Sequence, residues 1–266
     1  MLRRRFLFAA PLALAAGAAR SQTPGGATSA LQAAIAGPLR SPKNVARDPW
    51  RHPLETLTFW GLAPGMTVIE VEPAGGYWTE ILAPYLKATG GTYVGAVGGD
   101  AAAFKARYGD PALWGDIAVV ALGGPLGAPD SADMVITARN IHDWMWTPGR
   151  LDGLLASFHA ALKSSGVLAV EEHRADPRPM VAEARDGYVA TAVLVEAVDK
   201  AGFALDRRSE INANPKDTKD YPFGVWTLPP TLRSHAKDQP TPADYDQARY
   251  VAIGESDRMT LRFRKV

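Results

Sequence analysis

Short apolar runs alternate with longer amphipathic stretches along most of the chain. Runs at Thr67–Glu72, Thr92–Val97, Ile117–Leu122, Met134–Ala138, Val167–Glu172, Ala204–Ile211 and Arg258–Phe263 have the length and β-branched content of strands. Helical spacing of apolar positions predicts helices at Trp78–Leu86, Ala101–Tyr108, Pro148–Leu162 and Arg185–Ala201. One more helical segment opens at Asp48-Pro49-Trp50, lines up Leu54, Leu57, Thr58 and Phe59, and stops at Gly61. Strands separated by helical lengths imply βαβ crossovers. The expected architecture is therefore a three-layer, Rossmann-like α/β fold, with a seven-stranded, mostly parallel sheet covered by helices on both faces.

Two stretches break this rhythm. Residues 22–43 are rich in Ala, Gly, Ser, Thr and Pro and read as a linker, with a short amphipathic piece around Leu31–Ile35. Residues 212–255 carry Pro215, Pro222, Pro229, Pro230, Pro240 and Pro242 with little periodicity. A long excursion inside a compact domain is a lid, a binding loop or a disordered insertion. Tyr221, Phe223, Trp226, Tyr245 and Tyr250 argue against disorder, so an ordered flap inserted before the last strand is expected.

Arg3-Arg4-Arg5 precedes the apolar run Phe6–Ala19, and small residues at Ala16-Gly17-Ala18 and Ala19-Arg20-Ser21 offer cleavage sites. This pattern predicts a signal peptide over residues 1–21 and an exported, periplasmic protein. Arg3-Arg4-Arg5-Phe6-Leu7 also fits a twin-arginine signal. No transmembrane segment is expected once the signal is removed, since the apolar run falls short of about 20 residues. Residues 44–266 then form one domain.

The 266 residues carry a formal net charge of +1, with Lys and Arg scattered beyond the N-terminus. No nucleic-acid partner is indicated. Cysteine is absent, which excludes thiolate catalysis, Cys-ligated zinc, iron–sulfur clusters and disulfides. Nothing in the composition sets an oligomeric state.

Ligands of open α/β sheets bind beyond the carboxyl ends of the strands. The first strand here runs through Glu70 and Glu72 into Pro73-Ala74-Gly75-Gly76-Tyr77, and small residues there let a ligand approach the backbone. Read alone, the turn is equally a tight βα connection. With the alternation that follows, it resembles class I S-adenosylmethionine-dependent methyltransferases. The segments Arg51–Gly61, Pro73–Leu86, Arg139–Trp144, Glu172–Ala175 and Ile211–Leu232 resemble, as a set, a family of exported predicted methyltransferases.

That resemblance implies methyl transfer from S-adenosylmethionine to a small-molecule substrate, with the cofactor beside Glu70, Ala74, Gly75, Gly76, Tyr77 and Asn140. Two departures stand out. The pattern's three alternate glycines fall at Glu72, Ala74 and Gly76, so only the last is kept, and the acid expected to end the second strand is replaced by Val97-Gly98-Gly99, with Asp100 late.

The fourth and fifth strands end in Arg139-Asn140-Ile141-His142-Asp143-Trp144 and Glu171-Glu172-His173-Arg174. If these strands are neighbours, His142 and His173 emerge side by side among carboxylates, a convergence typical of sites. His142, His173 and Asp143 are the expected catalytic groups; Arg139, Glu172 and the flap residues Asn214, Lys216 and Trp226 are the expected substrate contacts. No metal is assigned. Other readings of the same residues are a binding protein on a methyltransferase scaffold, and a metal-dependent hydrolase or lyase built on His142 and His173 with Asp143 or Glu172.

Overall fold

A computed structural model describes residues 24–266; the expected signal peptide lies outside the described residues. Helices α1 (Pro24–Ile35), α2 (Pro42–Val45), α3 (Asp48–Arg51) and α4 (Pro53–Trp60) come first. The alternation then begins with β1 (Thr67–Val71), α5 (Thr79–Thr89), β2 (Thr92–Val97), α6 (Ala101–Tyr108), α7 (Pro111–Trp114) and β3 (Ile117–Ala121). It continues through β4 (Ala132–Ala138), α8 (Ile141–Trp144), α9 (Arg150–Ala161), β5 (Leu162–His173) and α10 (Thr191–Lys200). Strand β6 (Phe203–Ser209), helix α11 (Gln247–Ile253) and strand β7 (Arg258–Lys265) close the chain.

The seven strands form one sheet in the order β3-β2-β1-β4-β5-β7-β6. The first five are parallel, and β7 lies antiparallel between β5 and β6. All seven strands fall where the apolar runs place them. Period-two alternation divides the side chains of β1 between the faces: Ile69 and Val71 pack with Trp144, Leu155 and Phe158, whereas Val68 packs with Trp60, Trp78 and Ile81. Connections leave β1 toward β2 and return on its other side at β4, so the strand order reverses between β1 and β4.

Three expectations need correction. Pro24–Ile35 is a helix and not a linker; Leu31 and Ala34 are buried among the residues of α4 and α5, a contact that its Gly- and Ala-rich composition does not advertise. The helix expected from Asp48 to Gly61 is split at His52, whose φ of 41° is left-handed. Pro53 disfavours the helical conformation at the residue before it and then starts α4. Finally, α10 starts at Thr191 and not Arg185, because Gly187 has a φ of 85° and Val189 bridges Arg174 in extended form.

The N-terminal helices are tied to the sheet through Glu80 of α5. Its buried carboxylate accepts from Ser41 N (2.9 Å), Asn44 Nδ2 (2.8 Å) and an Arg107 terminal nitrogen (2.7 Å). The excursion at 212–255 is ordered. Asn212 donates to Thr56 and Thr260 hydroxyls, and Asn214 Nδ2 donates to the carbonyls of Ile253 and Glu255. Buried Asp217 accepts from the Tyr188 hydroxyl and from Asp257 N. Among the described residues no helix is long and apolar enough to cross a membrane.

Candidate functional site

A cavity of about 320 Å³ opens at the carboxyl ends of β1, β4 and β5, beside the strand-order reversal. Glu70–Gly75 and Arg139–Asn140 form its floor, Arg47 and Arg51 one wall, and Val225, Trp226 and Pro229–Thr231 of the flap its roof. A second cavity of about 460 Å³ lies over the end of β2, against Gly98, Gly99, Asp100 and Phe104. The two share Glu72, Pro73, Ala74, Asn140 and Asp143. Outside the first cavity, Trp146, Trp226 and Arg185 line a shallower depression.

The turn after β1 is strained in a definite pattern. Glu72, Ala74 and Gly76 have φ of 47°, 44° and 77°, the left-handed region that L side chains avoid. These are the three positions where the methyltransferase pattern places glycine, so the backbone keeps the turn although two of the residues have changed. At Gly76 the glycine is required, because a Cβ would lie 1.6 Å from the Tyr108 hydroxyl. Glu72 reaches across to the end of β2, where Oε1 abuts Gly98, and its Oε2 accepts from Trp144 Nε1 at 3.0 Å. Gly98 leaves room for that carboxylate.

Glu70 also lines the cavity, but its Oε2 is engaged by the Tyr93 hydroxyl at 2.6 Å and Thr79 Oγ1 at 2.8 Å. Burial raises its carboxyl to about 7, against the opposing effect of those hydrogen bonds.

His142 and His173 lie with ring centroids 5.2 Å apart. Glu172 is fully buried behind them. Its Oε1 meets His142 Nδ1 at 2.9 Å and accepts from His173 N, while Oε2 accepts from the backbone N–H of Ile141 and His142. Burial pulls the His142 imidazole down, but the Glu172 carboxylate outweighs it and the net shift is upward. His173 moves the other way: burial, then the charges of His142, Arg139, Arg258 and Arg47, hold it well below the usual imidazole range. One ring is thus favoured as imidazolium and its neighbour as the free base. His173 Nδ1 contacts Ser256 Oγ at 2.5 Å. Asp143 is half-exposed, 3.5 Å from His142 Nε2, and burial raises its carboxyl.

Ligand atoms of His142, Glu172 and His173 all lie within 4.8 Å of one another, a spacing a metal ion would accept. Both Glu172 oxygens are already committed to hydrogen bonds, so the trio is built as a braced imidazole pair and a metal would have to break that bracing.

A cluster of arginines closes the far wall. Glu255 is paired with Arg47 Nε (2.5 Å), Arg51 Nε (3.0 Å) and Arg258 (2.9 Å). Glu171 is paired with Arg258 (2.7 Å) and Arg139 (3.4 Å). The Arg51 guanidinium lies 4.4 Å from the centroid of the Tyr77 ring, and both of its terminal nitrogens are buried without a hydrogen-bond partner.

Of the residues expected at the site, Glu70, Ala74, Gly75, Tyr77, Arg139, Asn140, His142, Asp143, His173 and Trp226 border the main cavity. Four do not. Gly76 packs under Tyr108. Glu172 braces His142 from within the fold and is not a substrate contact. Asn214 pins the flap, and Lys216 is exposed away from the cavity, the buried lysine of that segment being Lys219, paired with Asp257 at 2.8 Å. Arg47, Arg51, Glu255 and Ser256 were not anticipated; the only local signal is an unusual density of charge in Arg47–Arg51 and Glu255–Arg258 beside Trp50 and Gly254.

No family model matches the sequence, and no curated protein matches it. Solved structures do match. An S-adenosylmethionine-dependent methyltransferase from Aquifex aeolicus is 17% identical, with a TM-score of 0.50 over 70% of this chain and 93% of that one. The [4+2]-cyclase SpnF is 16% identical, with a TM-score of 0.54 over 90% of this chain and 93% of that one. A methyltransferase of the same type from Methanosarcina mazei is 9% identical, with a TM-score of 0.50 over 79% and 96%. The fold is that of the class I S-adenosylmethionine-dependent methyltransferases. A cyclase among these structures is a reminder that the scaffold alone does not dictate the reaction.

Proposed function

We propose that the chain is an S-adenosylmethionine-dependent methyltransferase acting on a small molecule, exported through its N-terminal segment. The observation that carries this reading is the pair of adjacent cavities at the strand-order reversal, which share Glu72, Pro73, Ala74, Asn140 and Asp143 as lining, the first of them bordered by His142 and His173.

The residues present fit the cofactor. A Cβ built on Gly75 or Gly99 meets nothing within 4 Å, so open backbone faces each cavity. Glu72 and Asp143, where the cavities meet, supply negative charge suited to the cationic portion of the cofactor. When bound, S-adenosylmethionine supplies an electrophilic methyl group on a sulfonium. Asn140 holds the rim by donating to Val71 O at 3.0 Å. His173, held as the free base, orients the acceptor group by accepting its hydrogen bond. Glu172 fixes the His142 ring, and Ser256 holds His173 Nδ1. Trp226 and the prolines of the roof exclude water.

Calorimetric titration of the purified protein with S-adenosylhomocysteine tests the reading. One-to-one binding in the micromolar range is expected. Absence of binding overturns it, and metal retained through purification with loss on chelation would point to hydrolytic chemistry at the histidines. Cell fractionation tests export.

A further inference from the structure

We propose that Arg47 and Arg139 form a carboxylate-binding subsite in the main cavity, with buried Arg51, whose terminal nitrogens have no hydrogen-bond partner, behind it. The argument begins with charge balance. Arg47, Arg51, Arg139 and Arg258 share only Glu171 and Glu255 as partners within their cluster, an excess of two positive charges in a largely buried wall. Uncompensated charge of this kind is costly unless something pairs with it.

The hydrogen bonding points the same way. Arg51 is fully buried, yet uses only Nε toward Glu255 and leaves both terminal nitrogens without a partner. Arg47 and Arg139 retain 21% and 20% side-chain exposure and border the cavity. Each spends one nitrogen on a carboxylate of the protein, Arg47 through Nε and Arg139 through a terminal nitrogen at 3.4 Å. Their remaining N–H donors are the groups of this wall open to a ligand. Arg47 is also pushed below its ordinary value, by burial first and then by the charges of Arg139 and Arg258 against the relief from Glu255. An incoming anion relieves both neighbours.

The planar fork of a guanidinium matches a carboxylate better than a point-charge donor does. The cavity is also lined by Glu72 and Asp143, with Glu72 3.7 Å from Arg150, so it offers carboxylates as well as guanidinium groups. A ligand that carries a carboxylate together with a neutral or cationic group matches that lining. The carboxylate can belong to the amino-acid portion of the cofactor or to the acceptor substrate; only the first source rests on the methyltransferase reading.

Matched ligand pairs decide between them in calorimetric titrations of the full chain. S-adenosylhomocysteine and its decarboxylated analogue 5′-(3-aminopropylthio)adenosine share the adenosine, thioether and ammonium but only the former has a carboxylate. Benzoate and benzamide are a similar pair without any cofactor portion. If the subsite holds the cofactor's carboxylate, S-adenosylhomocysteine binds roughly 10- to 100-fold more tightly than the decarboxylated analogue, and Arg139→Gln or Arg47→Met erases the difference. If it holds a substrate's carboxylate, the adenosyl pair binds alike, benzoate is preferred to benzamide, and the same substitutions remove that preference. The wild-type comparison stands even where a variant fails to fold. Indifference of the wild-type protein to the carboxylate in both pairs overturns the subsite. Failure of both adenosyl compounds to bind counts against the methyltransferase reading, and the benzoate pair then tests the subsite independently.

Discussion

The carboxylate of Glu172 and the imidazole of His142 meet at 2.9 Å, with no exposure of Glu172 to solvent. The contact raises His142, while burial and neighbouring positive charge lower His173, so the two histidines have opposite charge preferences and opposite pH linkages. His142 has a raised folded value, so its contribution to stability is complete below about 6.5 and fades as the pH rises through that folded value. His173 has a lowered value; the unfolded chain takes up its proton first, and stability falls as the pH drops through about 6.5. The destabilisation caused by His173→Gln is therefore expected to shrink between pH 7.5 and pH 5.5 in urea denaturation. Proton-detected titration of the rings should show His142 charged at a pH where His173 is neutral.

Glu172→Gln keeps the shape but places an amide NH₂ against N–H donors. A loss of about 2 kcal/mol is expected, together with a fall of the His142 value toward or below 6.5. A variant with unchanged denaturation midpoint and unchanged ring titration would show that the bracing does not operate.

Glu70 is the buried acid whose titration reaches neutrality. With a folded value near 7 against 4.5, the native state holds its proton longer than the unfolded chain. Stability is full below about 4.5 and declines up to about 7, by an amount on the order of 3 kcal/mol. Glu70→Gln can still accept from Tyr93 and Thr79 and should flatten that decline. Thermal unfolding from pH 4 to pH 8 measures it, and an unaltered slope would contradict the assignment.

The turn after β1 makes a contrast between adjacent substitutions. Ala74→Gly removes a side chain from a left-handed position and should stabilise by about 0.5–1 kcal/mol. Gly76→Ala drives a methyl into Tyr108 and should cost at least about 3 kcal/mol. Denaturation midpoints of both proteins test this, and equal effects would refute it.

The sheet was readable in the sequence because both of its faces are covered. Val68, Ile69 and Val71, and likewise Leu168–Val170, are buried on alternate sides, which leaves nearly continuous apolar runs that few other structures produce. His142 and His173 were also readable, since His173 ends β5 and His142 lies four residues beyond the end of β4, and neighbouring parallel strands bring their carboxyl ends together. The arginine wall was not. Arg47 and Glu255 are far apart in sequence and meet only because the segment before β7 folds back against α3. Nothing in the sequence separates Lys216, which is solvated, from Lys219, three residues later and buried. At Pro24–Ile35 only the amphipathic piece at Leu31–Ile35 is legible, because the helix buries just Leu31 and Ala34, with Ala30 and Ile35 partly buried beside them.

Asn214 and Asp217 fasten the long proline-bearing excursion to the residues just ahead of β7. That anchoring makes the cover over the histidines a fixed ceiling. Trp226 in that ceiling packs against Trp146 with ring centroids 5.8 Å apart, so the roof is braced at two margins rather than hinged at one.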